Sequence, residues 1–207
     1  MIARLLLALA LLVVPPVHAA GEPVIVVVGD SISAGYGLAP GQVWVSLLEA
    51  RLKAERFPHR VINASISGDT TAGGRTRLPA LLAAHKPAVV VIELGGNDAL
   101  RGQPLAATRA NLDAMTLAAQ GVGARVLVLG MKLPPNYGPA YVREFDALFE
   151  TVAKSRKAAF LPYLFDGFGD DLAFFQPDKI HPTAEAQPRI LANVWPALKP
   201  LLATKAK

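Results

Sequence analysis

A doubly wound α/β domain with a five-stranded parallel sheet is the fold class this sequence predicts, on three observations. Five short, apolar, β-branched runs alternate with five longer segments of helical spacing. The runs are continuously apolar rather than alternating, as strands buried on both faces are. Serine, aspartate and asparagine gather among glycines directly after the first three runs, at the strand ends where parallel sheets bind their ligands.

In chain order, strands are predicted over 24–28, 61–64, 88–94 and 125–129, with a weaker fifth over 160–164. Helical spacing marks 43–56, 75–85, 105–120, 141–157 and 183–202, and Pro188 and Pro196 should bend or interrupt the last of these. Strand, helix, strand over five units implies right-handed crossovers with helices on both faces of the sheet. No linker, repeat or low-complexity stretch divides the chain, so residues 20–207 read as one domain.

Residues 1–19 read as a secretory signal. Arg4 opens them, about ten apolar residues from Leu5 to Val14 follow, and Val17-His18-Ala19 places small residues at a cleavage site after Ala19. The apolar stretch is well short of the roughly 20 residues that span a bilayer. The predicted location is periplasmic or secreted; an uncleaved membrane anchor, the competing reading, also puts the domain outside the cytoplasm.

Composition narrows the chemistry. The 207 residues are 52% hydrophobic and 18% charged, too apolar for a disordered chain. The net charge of +5 is spread thinly, with no basic run and no aromatics among basic residues, so no nucleic-acid footprint is visible. Without cysteine there is no disulfide, no thiolate nucleophile and no Cys-type zinc site, so covalent chemistry needs an oxygen or nitrogen nucleophile.

The first strand runs into Gly29-Asp30-Ser31-Ile32-Ser33, which sets Ser31 on a tight turn as a candidate nucleophile. A turn serine capping a helix is the other reading of the same residues. A serine needs a base, and beyond the signal the chain offers His59, His85 and His181. His59 sits in a short polar connection and His85 ends a helix, both ordinary structural places. His181 lies in Asp178-Lys179-Ile180-His181-Pro182, where Asp178 is placed to orient the ring, so Ser31, Asp178 and His181 form a candidate triad.

Acyl transfer also needs donors for the oxygen that becomes negative. Gly68 follows the second strand and offers an unobstructed backbone N–H, and Asn97, in Gly95-Gly96-Asn97-Asp98 after the third, offers a side-chain amide. An Asx-turn stabilising the Gly-Gly loop is the alternative for Asn97. Asp30 and Asp98 also permit a Mg²⁺ or phosphotransfer reading, which leaves Asp178, His181 and Gly68 unused.

These four blocks, in this order, resemble the SGNH (GDSL-type) hydrolases. Ser67-Gly68-Asp69-Thr70-Thr71, Leu133-Pro134-Pro135-Asn136-Tyr137-Gly138 and Ala186-Gln187-Pro188 are similar to the secreted bacterial thioesterase I, lysophospholipase and arylesterase subgroup. The resemblance implies a flavodoxin-like three-layer α/β/α fold with strand order 2-1-3-4-5 and neither cofactor nor metal. It assigns Ser31 as nucleophile, His181 as base, Asp178 as its orienting acid, and Ser31 N–H, Gly68 N–H and the Asn97 amide as oxyanion hole.

It further implies substrate contacts at Leu133, Asn136 and Tyr137, from a segment resembling the subgroup's acyl-pocket wall, and at Arg75 and Leu78, from one resembling its mobile substrate loop. Both segments also read as ordinary surface connections. Two positions depart from the family pattern: Ile32 stands for the usual Leu, and Lys179 stands where Gly is frequent.

The function that follows is hydrolysis of carboxylic esters and thioesters by a monomeric serine esterase: acyl-CoA-type thioesters, lysophospholipids, and aryl or short-to-medium acyl esters. The partner is a small-molecule acyl substrate, with contact to a lipid surface, and no nucleic acid. A carbohydrate deacetylase of the same superfamily and a non-catalytic secreted ligand-binding protein are the alternatives.

Overall fold

A computed structural model describes residues 21–203; the signal-sequence reading of 1–19 lies outside them. Five strands, β1 (Val24–Gly29), β2 (Arg60–Asn63), β3 (Val89–Glu93), β4 (Arg125–Leu129) and β5 (Ala159–Leu161), form one sheet in the order β2-β1-β3-β4-β5. Every pairing is parallel, with Val26 opposite Ile62 and Val90, Val91 opposite Leu127, and Val128 opposite Phe160. Both the parallel sheet and the 2-1-3-4-5 order match the sequence expectation.

The helices are α1 (Ser31–Ala34), α2 (Trp44–Ala54), α3 (Thr71–His85), α4 (Gly96–Leu100), α5 (Leu105–Gly121), α6 (Pro139–Arg156) and α7 (Gln187–Leu198). Because side chains alternate across a strand, one apolar run feeds two cores. Val24, Val26, Val28, Val90, Ile92, Val126 and Val128 pack with α3, α5 and α6. Ile25, Val27, Val89, Val91, Leu127 and Leu129 pack with α2 and α7, where Trp44, Leu48, Val194 and Trp195 are buried. Continuous hydrophobicity in β1 and β3 therefore reports two covered faces.

Three expectations shift. Helix α3 begins at Thr71 rather than 75: the Thr70 side chain accepts from Gly73 N–H, and Gly73 and Gly74 join the first turn. Helix α7 begins at Gln187 rather than 183 with Pro188 in its first turn, where a missing N–H loses nothing; Pro196 lies inside the helix, and a 3₁₀ turn follows over Lys199–Leu202. Strand β5 covers Ala159–Leu161 rather than 160–164, because Pro162 cannot donate to the ladder.

Gly130, directly after β4, donates to Leu161 O and accepts from Leu164 N–H, closing the sheet's carboxyl end. A Cβ at this position would lie 2.3 Å from Pro162 O, a backbone atom that moves only with the strand. Gly130→Ala is therefore expected to destabilise the domain by about 1–3 kcal/mol, through overpacking. An unchanged urea midpoint would contradict this tight approach.

Candidate active site

The site is built at the carboxyl edge of the sheet, from the turns that leave β1, β2 and β3 and from the segment before α7. Strand β1 ends at Gly29, where a Cβ would lie 2.7 Å from Glu93 Oε2 and 2.8 Å from Ser33 Cβ, so glycine lets the turn close. Asp30 caps α1 by accepting from Ile32 N–H at 3.0 Å, and Gly35 ends that helix at φ 82°. Ser31 is thus the first residue of a short helix, with a backbone N–H that has no partner within it.

His181 Nε2 lies 2.9 Å from Ser31 Oγ, and His181 Nδ1 lies 2.7 Å from Asp178 Oδ2. Asp178 Oδ1 accepts from the N–H groups of Ile180 and His181 at 2.9 and 3.0 Å. Partial desolvation pulls the Asp178 carboxyl upward, but hydrogen bonds from the His181 backbone and ring and from Ile180 N–H outweigh it and hold the group at about 2. A fixed negative charge therefore faces Nδ1 and selects the tautomer that leaves Nε2 free to accept a proton.

The segment carrying His181 is itself fastened. Phe175 and Pro182 form an antiparallel bridge, Gln176 N–H donates to His181 O at 2.7 Å, and the Gln176 amide donates to Tyr36 O and Pro182 O. The Tyr36 ring lies against the imidazole with centroids 4.4 Å apart. Lys179 adopts φ 60°, the left-handed region that favours glycine, so the turn holds a conformation that glycine would take without strain.

Gly68 occupies φ 78°, and its carbonyl accepts from Arg101 Nη2 at 2.9 Å. The β2 segment lies beside the nucleophile turn because Ile66 N–H donates to Gly29 O. Arg77 clamps the same corner: Nε pairs with Asp69 Oδ2 at 2.8 Å, Nη2 donates to Gly29 O at 3.3 Å, and Nη1 donates to Ala64 O. From the third strand end, Asn97 Nδ2 donates one hydrogen to Asp30 Oδ2 at 3.0 Å, which leaves the other available.

Two buried acids lie behind the nucleophile. Glu93, with no exposed surface, accepts from Ser33 Oγ at 2.7 Å and from Asp30 N–H at 3.3 Å, both on Oε2. Its Oε1 is buried with no hydrogen-bond partner among the described residues. Desolvation, then the neighbouring Asp30 charge, push Glu93 well above the usual carboxylate range. Desolvation also raises Asp30, to about 6, while Ile32 N–H, the Asn97 amide and His181 favour its ionised form. Burial thus favours the protonated carboxyl at Glu93 more strongly than at Asp30.

This arrangement suits acyl transfer: a hydroxyl linked through imidazole to a carboxylate, with an Asn97 amide hydrogen left uncommitted by its bond to Asp30. Residues 27–188 match the GDSL-like lipase/acylhydrolase family. The chain belongs to that family. It is 55% identical to esterase TesA of Pseudomonas aeruginosa over 183 residues, 88% of this chain and 91% of that protein. It is 37% identical to thioesterase 1/protease 1/lysophospholipase L1 of Escherichia coli over 185 residues, 89% of this chain and 88% of the relative. The crystal structure of the esterase EstA from Pseudoalteromonas sp., inhibited by monoethylphosphonate, superposes with a TM-score of 0.83 at 36% identity, covering 87% of this chain and 99% of that one.

Within this GDSL-like esterase the expected substrate contacts divide. Asn136 and Tyr137 lie in an exposed 3₁₀ turn over Pro135–Tyr137 after β4, at the site's edge of the sheet. Leu78 and Leu133 do not line a cleft: at 1% and 8% exposure they belong to the core between α3, α6 and the sheet. The Gly73–Pro79 segment, expected as a mobile loop, is helix, and Arg75 turns its guanidinium to Asn111 Oδ1 of α5.

Asp98 is consumed structurally, accepting from Thr71 N–H at 2.9 Å and Thr71 Oγ1 at 2.5 Å, and Asp30 is engaged by Ile32 and Asn97, so neither is placed as a metal ligand. A cavity of about 600 Å³ near Lys132, Tyr163, Asp166 and Asp170 includes none of the triad. Glu93, Arg77, Arg101 and Gln176 escaped the sequence reading; Glu93, an acid closing an all-apolar strand, was the visible signal.

Glu93 also makes a stability prediction. A carboxyl raised on folding stabilises fully below its unfolded value near 4.5, and that contribution is lost as pH rises through its folded value. Glu93→Gln, which keeps the acceptor without an ionisable proton, is expected to lose less thermal stability than wild type as pH rises above the ordinary carboxylate range. Parallel melting-temperature profiles would contradict a raised Glu93.

Proposed function

We propose that this esterase hydrolyses acyl esters and thioesters through an acyl-serine intermediate formed on Ser31. The continuous line Asp178 Oδ2, His181 Nδ1, His181 Nε2, Ser31 Oγ carries this reading, with gaps of 2.7 and 2.9 Å. Ser31 Oγ bonds to the carbonyl carbon as its proton passes to His181 Nε2, and the carbonyl oxygen becomes negative against Ser31 N–H, Gly68 N–H and Asn97 Nδ2. His181 returns the proton to the departing alcohol or thiol. Water then attacks the acyl-serine with His181 again as base, releasing the acid and restoring Ser31.

The names of the relatives, esterase and thioesterase/lysophospholipase, support lipid-like acyl substrates of both kinds. An apolar rim supports the same class: Tyr36 lies against His181, Ile180 precedes it, Ile66 is two residues from Gly68, Leu100 is three from Asn97, and all four are exposed. Asn136 and Tyr137 are the proposed contacts from the β4 loop, and this rim is where a lipid surface is met. The leader-like residues 1–19 support action of the monomer in the periplasm or outside the cell. Among the described residues no helix is long and apolar enough to cross a membrane.

Ser31→Ala is expected to abolish hydrolysis of p-nitrophenyl esters from acetyl to palmitoyl while leaving the thermal melt in place. Residual turnover above about a thousandth of wild type would contradict a serine nucleophile. His181→Ala should be as inactive as Ser31→Ala, and Asp178→Ala less so, because Asp178 orients and does not exchange the proton.

For wild type, Asp178, held at about 2, stays ionised from about pH 5 upward, so its orienting bond to His181 Nδ1 persists across that range.

A further inference from the structure

We infer that Asp30 is a positioning residue for the oxyanion hole, holding the Asn97 amide so that its second Nδ2 hydrogen faces the reacting carbonyl oxygen. This rests on the active-site reading proposed above. Asn97 Nδ2 donates to Asp30 Oδ2 at 3.0 Å, and an amide nitrogen carries two hydrogens in one plane. With one hydrogen held, the direction of the other is fixed. A flipped amide would set Asn97 Oδ1 against a carboxylate oxygen, two acceptors face to face, so the pairing selects one of the two orientations.

Asp30 can serve as this fixed point because it is itself held on every side. It is 3% exposed. Its Oδ1 caps Ile32 N–H at 3.0 Å, and its backbone N–H is drawn to Glu93 Oε2 at 3.3 Å. Glu93 is in turn held by Ser33 Oγ at 2.7 Å, which accepts from Trp44 Nε1 at 3.1 Å. A chain of hydrogen bonds thus runs from Trp44 on one face of the sheet, through Ser33, Glu93 and Asp30, to Asn97 at the start of α4.

The side chain must also supply two acceptors in opposite directions, one for Ile32 N–H and one for Asn97. A carboxylate does this, whereas asparagine has one acceptor and serine is too short to reach both. Capping α1 and aiming Asn97 are therefore separable duties of one residue.

Asp30→Ser separates them, since serine caps Ile32 N–H but cannot reach Asn97. Steady-state kinetics on a p-nitrophenyl ester would be measured for Asp30→Ser, Asn97→Ala and the double variant, with thermal melts alongside. Asp30→Ser is expected to lower kcat by about 10- to 100-fold with KM within about two-fold, below the 10²- to 10³-fold typical of deleting an oxyanion donor outright. Because Asp30 acts through Asn97, the double variant should be within about three-fold of Asn97→Ala alone.

Should Asp30→Ser fail to fold, Asp30→Asn replaces it, with the same expected fall in kcat and the same non-additivity. A wild-type kcat in the folded Asp30 variant, or a double-variant loss equal to the product of the single losses, would overturn the inference alone. An Asn97→Ala variant with wild-type kcat would overturn the oxyanion-hole reading as well.

Discussion

The hydrogen bond from Ser31 Oγ to His181 Nε2, 2.9 Å long, joins residues 150 positions apart, and the proposed chemistry depends on it. Neither partner is reactive alone: the hydroxyl needs a base, and the imidazole needs a fixed tautomer. The sheet supplies the first condition by delivering β1 into a glycine turn that exposes Ser31. The segment before α7 supplies the second, with Asp178 on Nδ1, Tyr36 against the ring and Gln176 tying the loop back to Tyr36 O. Regular secondary structure positions Ser31, the proposed nucleophile, whereas side-chain bonds position His181, the proposed base.

Electrostatically the site divides into two regions. Around His181 the acid is accessible to solvent, accepts several hydrogen bonds and is strongly ionised. Behind Ser31 the acids are buried, and desolvation pushes both carboxyls upward, while each oxygen of Asp30 accepts one hydrogen bond. Two ionised carboxyls at that depth would repel one another, which is why the Asp30 charge adds to burial in raising Glu93. Arg77 and Arg101 contribute cations outside this buried pair, on the carbonyls of Gly29, Ala64 and Gly68. Positive charge is thus used to fix backbone at the strand ends.

Much of this was legible in the sequence. The β1 run, apolar at five consecutive positions, announced a strand covered on both faces, and the strand-end blocks marked where Ser31, Gly68, Asn97 and His181 would lie. Helix limits were less legible: Gly73 and Gly74 read as loop, but the Thr70 cap draws them into α3. Leu78 read as a ligand contact because a motif reports position along the chain, and burial is decided by the layer packed above it. Arg77 and Gln176 were hidden because each works through partners distant in sequence, such as Gly29 or Tyr36. Lys179 shows the converse, a residue that departs from a glycine position yet keeps its left-handed backbone.

The central claim is that Ser31 is made nucleophilic by His181, and covalent labelling tests it most directly. The protein would be treated with a p-nitrophenyl alkylphosphonate, which reacts with an activated serine as p-nitrophenol departs, and its mass and labelled peptide determined. One phosphonyl group on the peptide containing Ser31 is expected for wild type, with labelling slowed by orders of magnitude in His181→Ala. Label on another residue, or an undiminished rate without His181, would contradict the account.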